Sequence, residues 1–173
     1  MIRTTSIHTF TPFRLPIIIL LAAFLSFSLA LADEPDRELG DILSSAESFF
    51  KIMRARDYPG IWDALTSASQ RTILDEARKA IARSGGKEIP LDGLRKDFES
   101  GGPIARGYWS GFLAHFNPDI VLEQSRWEQG KIAGDRAEIL ITYKTAEKPA
   151  LLKLFRENGQ WKAGLVETFW GRK

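Results

Sequence analysis

Two residues of this chain have the chemistry of a general acid or base in a setting that could tune it, Glu167 and His115. Alternation along the C-terminal residues predicts a strand that places Glu167 on one face with Trp161 and Leu165. A carboxylate on such an apolar face would have a raised pKa and could act as a base. Alternatively, Glu167 lies near the end of the strand, past the core, and pairs with a lysine or arginine in water.

His115 stands near the end of an aromatic segment that is predicted to be helical. As a general base it would need a partner and a substrate within hydrogen-bonding reach. A histidine near a helix C-terminus more often interacts with the terminal carbonyl groups. A Ser-His-acid triad would have to recruit the same residue, and the sequence has no Gly-x-Ser-x-Gly elbow, so a serine hydrolase is excluded.

The composition offers few residues for metal binding and none for thiol chemistry. The chain has no cysteine and two histidines, and one of these, His8, falls in the leader described below. A single remaining histidine cannot build a multi-histidine site, so we expect no metal and no cofactor.

Aromatic residues could line a pocket for an apolar or cyclic ligand. Large aromatics also fill ordinary space between helices and a sheet, and a core position is the expectation for Trp62 and Trp161. The candidate pocket residues are therefore Tyr108, Trp109, His115, Trp127, Tyr143 and Glu167.

A long amphipathic helix at the start of the globular region must position these residues. Its apolar side chains recur in steps of three and four along one stripe: Leu39, Ile42, Leu43, Ala46, Phe49, Phe50 and Met53. A stripe so rich in phenylalanine favours a broad apolar partner, such as the face of a sheet. We expect this helix to run to about Arg56.

Further spacing and punctuation predict four more helices and then a sheet. The helices are a short one from Asp57, one from a capping box at 67–70 to a stop at 83–86, a weaker one from Ile89, and an aromatic one from Ile104 to Phe116. Period-two patterns then predict strands over 120–129, 137–143 and 150–156 and a last strand from Trp161 to Trp170, after an Asn158-Gly159 turn. The fold class is therefore α+β, with N-terminal helices packed on a curved C-terminal antiparallel sheet of about four strands.

The first residues are typical of a secretory signal peptide. Residues 1–14 carry two arginines and no acid, residues 15–29 are apolar, and Ala32 ends a small-x-small site. The alternative is an uncleaved anchor, although the run is at the short end of the roughly 17–25 residues that span a membrane. Cleavage after Ala32 removes two of the 24 basic residues and none of the 22 acidic ones, and the balance that remains argues against a nucleic-acid or membrane-surface partner. We expect a periplasmic or secreted single domain over 33–173.

Three segments resemble the nuclear transport factor two-like (cystatin-like) superfamily. Ala55–Leu65 is similar to its helical opening, Gly134–Ile141 to a middle strand and Arg156–Ala163 to its final hairpin. The resemblance covers most of 36–170 and implies helices in the concave side of a curved sheet, forming a cone with a pocket. Members include ketosteroid isomerases, polyketide cyclases and dehydratases. The helical stretch at 84–117 departs from the pattern, because the superfamily often has an early strand pair there.

Three functions remain open from the sequence. The first is an exported non-catalytic accessory domain that binds a small apolar ligand or a protein partner in or beside the cone. The second, implied by the resemblance, is an isomerase- or dehydratase-like enzyme that uses Glu167 or His115 with Tyr143 or Tyr108. The third is a structural module that forms a homodimer through the convex face of the sheet.

Overall fold

The structure, a computed structural model, describes residues 34–144 and 146–170. The predicted leader and its cleavage site after Ala32 lie outside the described residues. From Leu39 onward the described residues form one compact unit, and the described residues of the first helix up to Glu38 fall outside that unit. Across the described ranges, no helix is both long and apolar enough to cross a membrane.

Helices precede and follow a single antiparallel sheet in the described part of the chain. The helices are α1 (Glu34–Ala55), α2 (Tyr58–Asp63), α3 (Ser67–Arg83), α4 (Leu91–Ser100), α5 (Pro103–Leu113), α6 (Pro118–Glu123) and α7 (Leu165–Phe169). The strands are β1 (Ser125–Ala133), β2 (Arg136–Tyr143), β3 (Ala150–Glu157) and β4 (Gln160–Ala163), and they pair in chain order. The predicted α+β class, with a block of helices before a four-stranded sheet, is confirmed.

The apolar stripe of α1 enters the core as its spacing predicts. Ile42, Phe49, Phe50 and Met53 are each at most 2% exposed. The ring of Phe50 contacts that of Trp127 on β1 edge-on, with 5.6 Å between the ring centres. The helix therefore packs on the inner face of the sheet through its phenylalanines.

Strand register separates the two faces of the sheet. The inner face carries the buried residues of β2 and β3, which are Ala137, Ile139, Ile141, Leu152 and Leu154. On the outer face Leu140 pairs with Leu151 and Glu138 with Lys153. The outer face is therefore only partly apolar. Dimerisation through this face stays a prediction.

The first predicted strand is wrong over its N-terminal half. Residues 118–123 form α6, and β1 begins only at Ser125. The Asn117 side chain accepts a hydrogen bond of 2.9 Å from the Asp119 N–H, and Pro118 occupies the first turn, where its missing N–H costs nothing. The Asn-Pro-Asp sequence therefore both stops the preceding helix and starts a new one.

The predicted last strand is too long. β4 ends at Ala163, and Leu165–Phe169 is helical. The Gly164 N–H still donates to the Lys153 carbonyl (2.9 Å), but beyond it the Lys153 N–H finds the Thr168 hydroxyl (2.9 Å) instead of a strand partner. A Cβ atom at Gly164 would lie 2.6 Å from the ring of Phe155, so glycine is required at this bend. Glu167 consequently does not share a strand face with Trp161.

Two predictions from local sequence, a hairpin turn and the start of α3, had different outcomes. The turn Asn158-Gly159 has positive φ at both residues (52° and 78°), as its composition predicts. The N-cap of α3 is Thr66 rather than Ser67, because the Thr66 hydroxyl accepts from the Ser69 N–H at 3.1 Å. The start of this helix was therefore predicted one residue late.

Candidate functional site

Glu167 lies against the N-terminus of α3. Its carboxylate accepts hydrogen bonds from the Thr66 hydroxyl (2.8 Å) and the Ser69 hydroxyl (2.6 Å). The Ser69 oxygen in turn accepts from the Val166 N–H at 3.1 Å. Neither interpretation drawn from the sequence describes this arrangement, since Glu167 is not on an apolar strand face and pairs with no cation among residues 34–144 and 146–170.

A second glutamate engages the same helix end. The carboxylate of Glu157 on β3 accepts from the Ser67 N–H (3.0 and 3.2 Å) and from the Ser67 hydroxyl (2.7 Å). Negative charge near a helix N-terminus is favourable because the free N–H groups there carry partial positive charge. Glu157 and Glu167 thus join β3 and α7 to the start of α3.

We expect Glu167→Gln to lower the free energy of unfolding by about 1–2 kcal/mol. One of the two hydroxyls loses its acceptor, and the helix end loses a negative charge. Urea unfolding followed by circular dichroism measures the change. The matched control is Glu99→Gln, exposed on α4, which should stay within about 0.5 kcal/mol of the parent. Equal stabilities of the two variants would contradict this role for Glu167.

His115 lies on the surface beyond the end of α5. Its Nδ1 atom is 3.1 Å from the Gly111 carbonyl oxygen, which is the interaction expected of a histidine at a helix C-terminus. It lines a groove of about 460 Å³ between the end of α1 and the turn from α5 to α6. The groove is mostly polar, and its Arg54 is paired with Glu123 at 3.0 Å.

Tyr108 and Trp109 lie side by side on α5, with their rings edge-on and 5.1 Å between centres. Trp109 is fully buried, and among the described residues its indole N–H has no hydrogen-bond partner. Burial raises the pKa of the Tyr108 phenol to about 12, and the negative charge of Glu76 adds to the effect. Tyr108 is therefore a neutral phenol at the edge of the core.

Tyr58 and Tyr108, whose pKa values are shifted in opposite directions, should titrate at different pH values when phenolate absorbance is followed. We expect Tyr108→Phe to remove the component with a pKa of about 12 and Tyr58→Phe to remove one below the usual value of 10.0. Since the folded-state pKa of Tyr108 exceeds its unfolded value, this residue's contribution to stability is complete below pH 10.0 and is lost as pH rises towards 12. A last component that persists unchanged in Tyr108→Phe would contradict this environment.

Trp127 and Tyr143, both on the sheet, differ in burial. Trp127 is half-buried, donates from its indole N–H to the Val121 carbonyl (2.9 Å) and packs on Phe50. Tyr143, at the end of β2, is 40% exposed, with the Lys144 ammonium 5.4 Å from its ring centre. Among the hydrogen bonds and ring contacts of the described residues, only Tyr108 and Trp109 of the six candidates contact each other.

A mainly apolar pocket lies instead between the C-terminal half of α3 and the start of α4. It has a volume of about 390 Å³. Its wall includes the fully buried Leu94 and the half-buried Ile81 and Ile89. The turn that brings the two isoleucines together uses Gly85 in the left-handed region (φ 71°), while the Gly86 N–H donates to the Ile81 carbonyl (3.0 Å).

Charged residues complete the lining of this pocket. Arg78 and Lys79 contribute from α3 and Glu88 from the following loop. Each cation has an exposed partner one turn earlier, Asp75 at 3.4 Å and Glu76 at 3.2 Å. Because exposed ion pairs of this kind contribute little, the two cations are available to a ligand at small cost.

Two isoleucines in the sequence indicate this pocket, although neither is among the six candidate residues. Ile81 belongs to the apolar stripe of α3, yet it lies past the buried Ala77 and just before the Gly85-Gly86 stop. Ile89 lies three residues after Gly86. Two large aliphatic side chains on either side of a tight turn have no sheet to cover them, and they form the walls of an open cavity.

Metal-binding geometry does not occur in the part of the chain that the structure describes: no three histidine, aspartate or glutamate side chains come close enough together to hold an ion.

Comparison with models of protein families gave no match, and neither did comparisons with curated proteins and with solved structures. The likeness to nuclear transport factor two-like domains therefore stays a prediction.

Proposed function

We propose that this chain is an exported, non-catalytic binding domain that takes a small apolar ligand in the pocket between α3 and α4. The observation that carries the proposal is the mainly apolar cavity of about 390 Å³. Small-molecule sites in proteins have roughly 300–1,000 Å³ and are lined chiefly by apolar side chains with a few polar groups. The pocket meets both conditions.

The residues that line the pocket limit the kind of ligand that it can bind. Leu94, Ile81 and Ile89 offer aliphatic surface to an apolar body. Arg78 and Lys79 place two positive charges beside it, against the one negative charge of Glu88. A ligand with an apolar body and one anionic group therefore fits the lining better than a neutral or cationic one.

Titration with 8-anilinonaphthalene-1-sulfonate tests the proposal, because this probe combines an aromatic body with one sulfonate. We expect saturable 1:1 binding to the folded protein by calorimetry, and displacement by decanoate, an aliphatic chain with one carboxylate. Binding that does not saturate, or that decanoate does not displace, would contradict a defined apolar site.

A further inference from the structure

A second group of polar side chains converges where α1, α2 and α5 meet, away from the lining of the α3–α4 pocket. The Tyr58 hydroxyl at the start of α2 shares a hydrogen bond of 3.2 Å with the Ser110 hydroxyl on α5. Arg106 lies one turn before Ser110, so that both occupy the same side of α5. Arg56 lies in the turn between α1 and α2.

The turn between α4 and α5 brings these elements close together. Gly101 has φ of 64°, and a Cβ atom there would lie 2.9 Å from the Pro59 ring, so the close approach to α2 requires glycine. The Arg106 Nε–H donates to the Gly101 carbonyl at 2.8 Å. This bond holds the Arg106 side chain in place and leaves the two terminal nitrogens of its guanidinium for another acceptor.

The carboxylates near this cluster act as helix caps: the Asp97 carboxylate accepts from the Ala105 N–H at the start of α5 (2.8 Å). Within residues 34–144 and 146–170, neither Arg56 nor Arg106 forms an ion pair, although the preceding arginine, Arg54, is paired with Glu123 at 3.0 Å. The nearby Asp57 carboxylate accepts from the Gly60 N–H at 3.0 Å as a helix cap. The Tyr58 phenol responds to this environment: its pKa is lowered, first by the hydrogen bond with Ser110 and then by Arg56 and Arg106.

We propose that Arg56, Arg106, Tyr58 and Ser110 form a binding site for a phosphate group. Two guanidinium groups offer planar pairs of N–H donors, which match the spacing of phosphate oxygens. Of the two hydroxyls, one donates to the other, and the remaining O–H supplies a further donor to a group that carries three or four acceptor oxygens. A carboxylate has only two oxygens and would leave part of this donor set unused.

Calorimetric titration with inorganic phosphate at constant ionic strength tests the site. The parent protein should bind one phosphate, and Arg56→Gln and Arg106→Gln should each weaken binding about ten-fold or more through loss of a charged hydrogen bond. Arg95→Gln, which removes an exposed cation from α4, is the matched control and should bind as the parent does. No binding by the parent, or an equal loss in Arg95→Gln, would overturn the proposal.

Two further arms separate the sources of the phosphate group and protect against misfolded variants. Tighter binding of glycerol phosphate than of inorganic phosphate would assign the site to a phosphomonoester, and the reverse order to the free ion. Acetate should bind more weakly than both, and stronger acetate binding would contradict the phosphate assignment. Tyr58→Phe removes a single hydroxyl, and it should weaken phosphate binding without changing the unfolding transition by more than about 0.5 kcal/mol. Unchanged binding in this variant would contradict the role of the phenol.

Discussion

Replacing Phe50 with alanine is expected to lower the free energy of unfolding by about 3–5 kcal/mol. The side chain is 2% exposed. Its ring contacts those of Phe49, Phe116 and Trp127 with centre separations of 5.5, 6.0 and 5.6 Å. These contacts link α1 to the sheet and to the segment after α5, so truncation leaves a cavity where three elements meet. Since domains are stable by only about 5–15 kcal/mol, the loss is a large share of the total.

The matched control is Phe169→Ala, which makes the same chemical change at a residue that is 44% exposed. Among the rings of the described residues Phe169 contacts one, that of Phe116 at 6.4 Å, and we expect a loss of about 1 kcal/mol or less. Urea unfolding followed by circular dichroism compares the two variants. If Phe50→Ala costs no more than Phe169→Ala, α1 does not pack on the sheet as described.

Filling the α3–α4 pocket is expected to abolish most of its binding. Ala82 lines the pocket and is exposed, so the indole of Ala82→Trp can enter the cavity without disturbing the core. We expect the affinity for the anilinonaphthalene sulfonate probe to fall about ten-fold or more, which corresponds to about 1.4 kcal/mol of binding free energy. Calorimetry measures the change directly.

Ala80→Trp provides the control for this variant. Ala80 is also an exposed alanine on α3, but it is not part of the pocket lining. A tryptophan there adds the same surface to the same helix, and it should leave the affinity within about two-fold of the parent. Equal effects of the two substitutions would show that the probe binds elsewhere or without a defined site.

Periodicity predicted the parts of this fold that depend on burial. The α1 stripe from Ile42 to Met53 faces the core because a phenylalanine-rich stripe has no favourable position in water. The Asn158-Gly159 turn followed from local conformational preference alone. Both signals reside in a few neighbouring residues and need no knowledge of the rest of the chain.

The error in the last strand arose where long-range contacts decide local structure. The predicted last strand includes residues 165–169, yet they are helical because Glu167 reaches the start of α3 and Thr168 replaces a strand partner of β3. The α3–α4 pocket depends similarly on the packing of two helices around a tight turn. The chemistry of Glu167 was visible in the sequence, but its partners Thr66 and Ser69 lie 101 and 98 residues away along the chain.

Nuclear magnetic resonance of the probe complex tests the central claim, a ligand site between α3 and α4, most directly. We predict intermolecular nuclear Overhauser effects between the anilinonaphthalene protons and the methyl groups of Ile81, Ile89 and Leu94, which line the pocket. Contacts from the probe to Leu113 and Ile120, which line the polar groove beside His115, with none to Ile81 or Ile89, would contradict it.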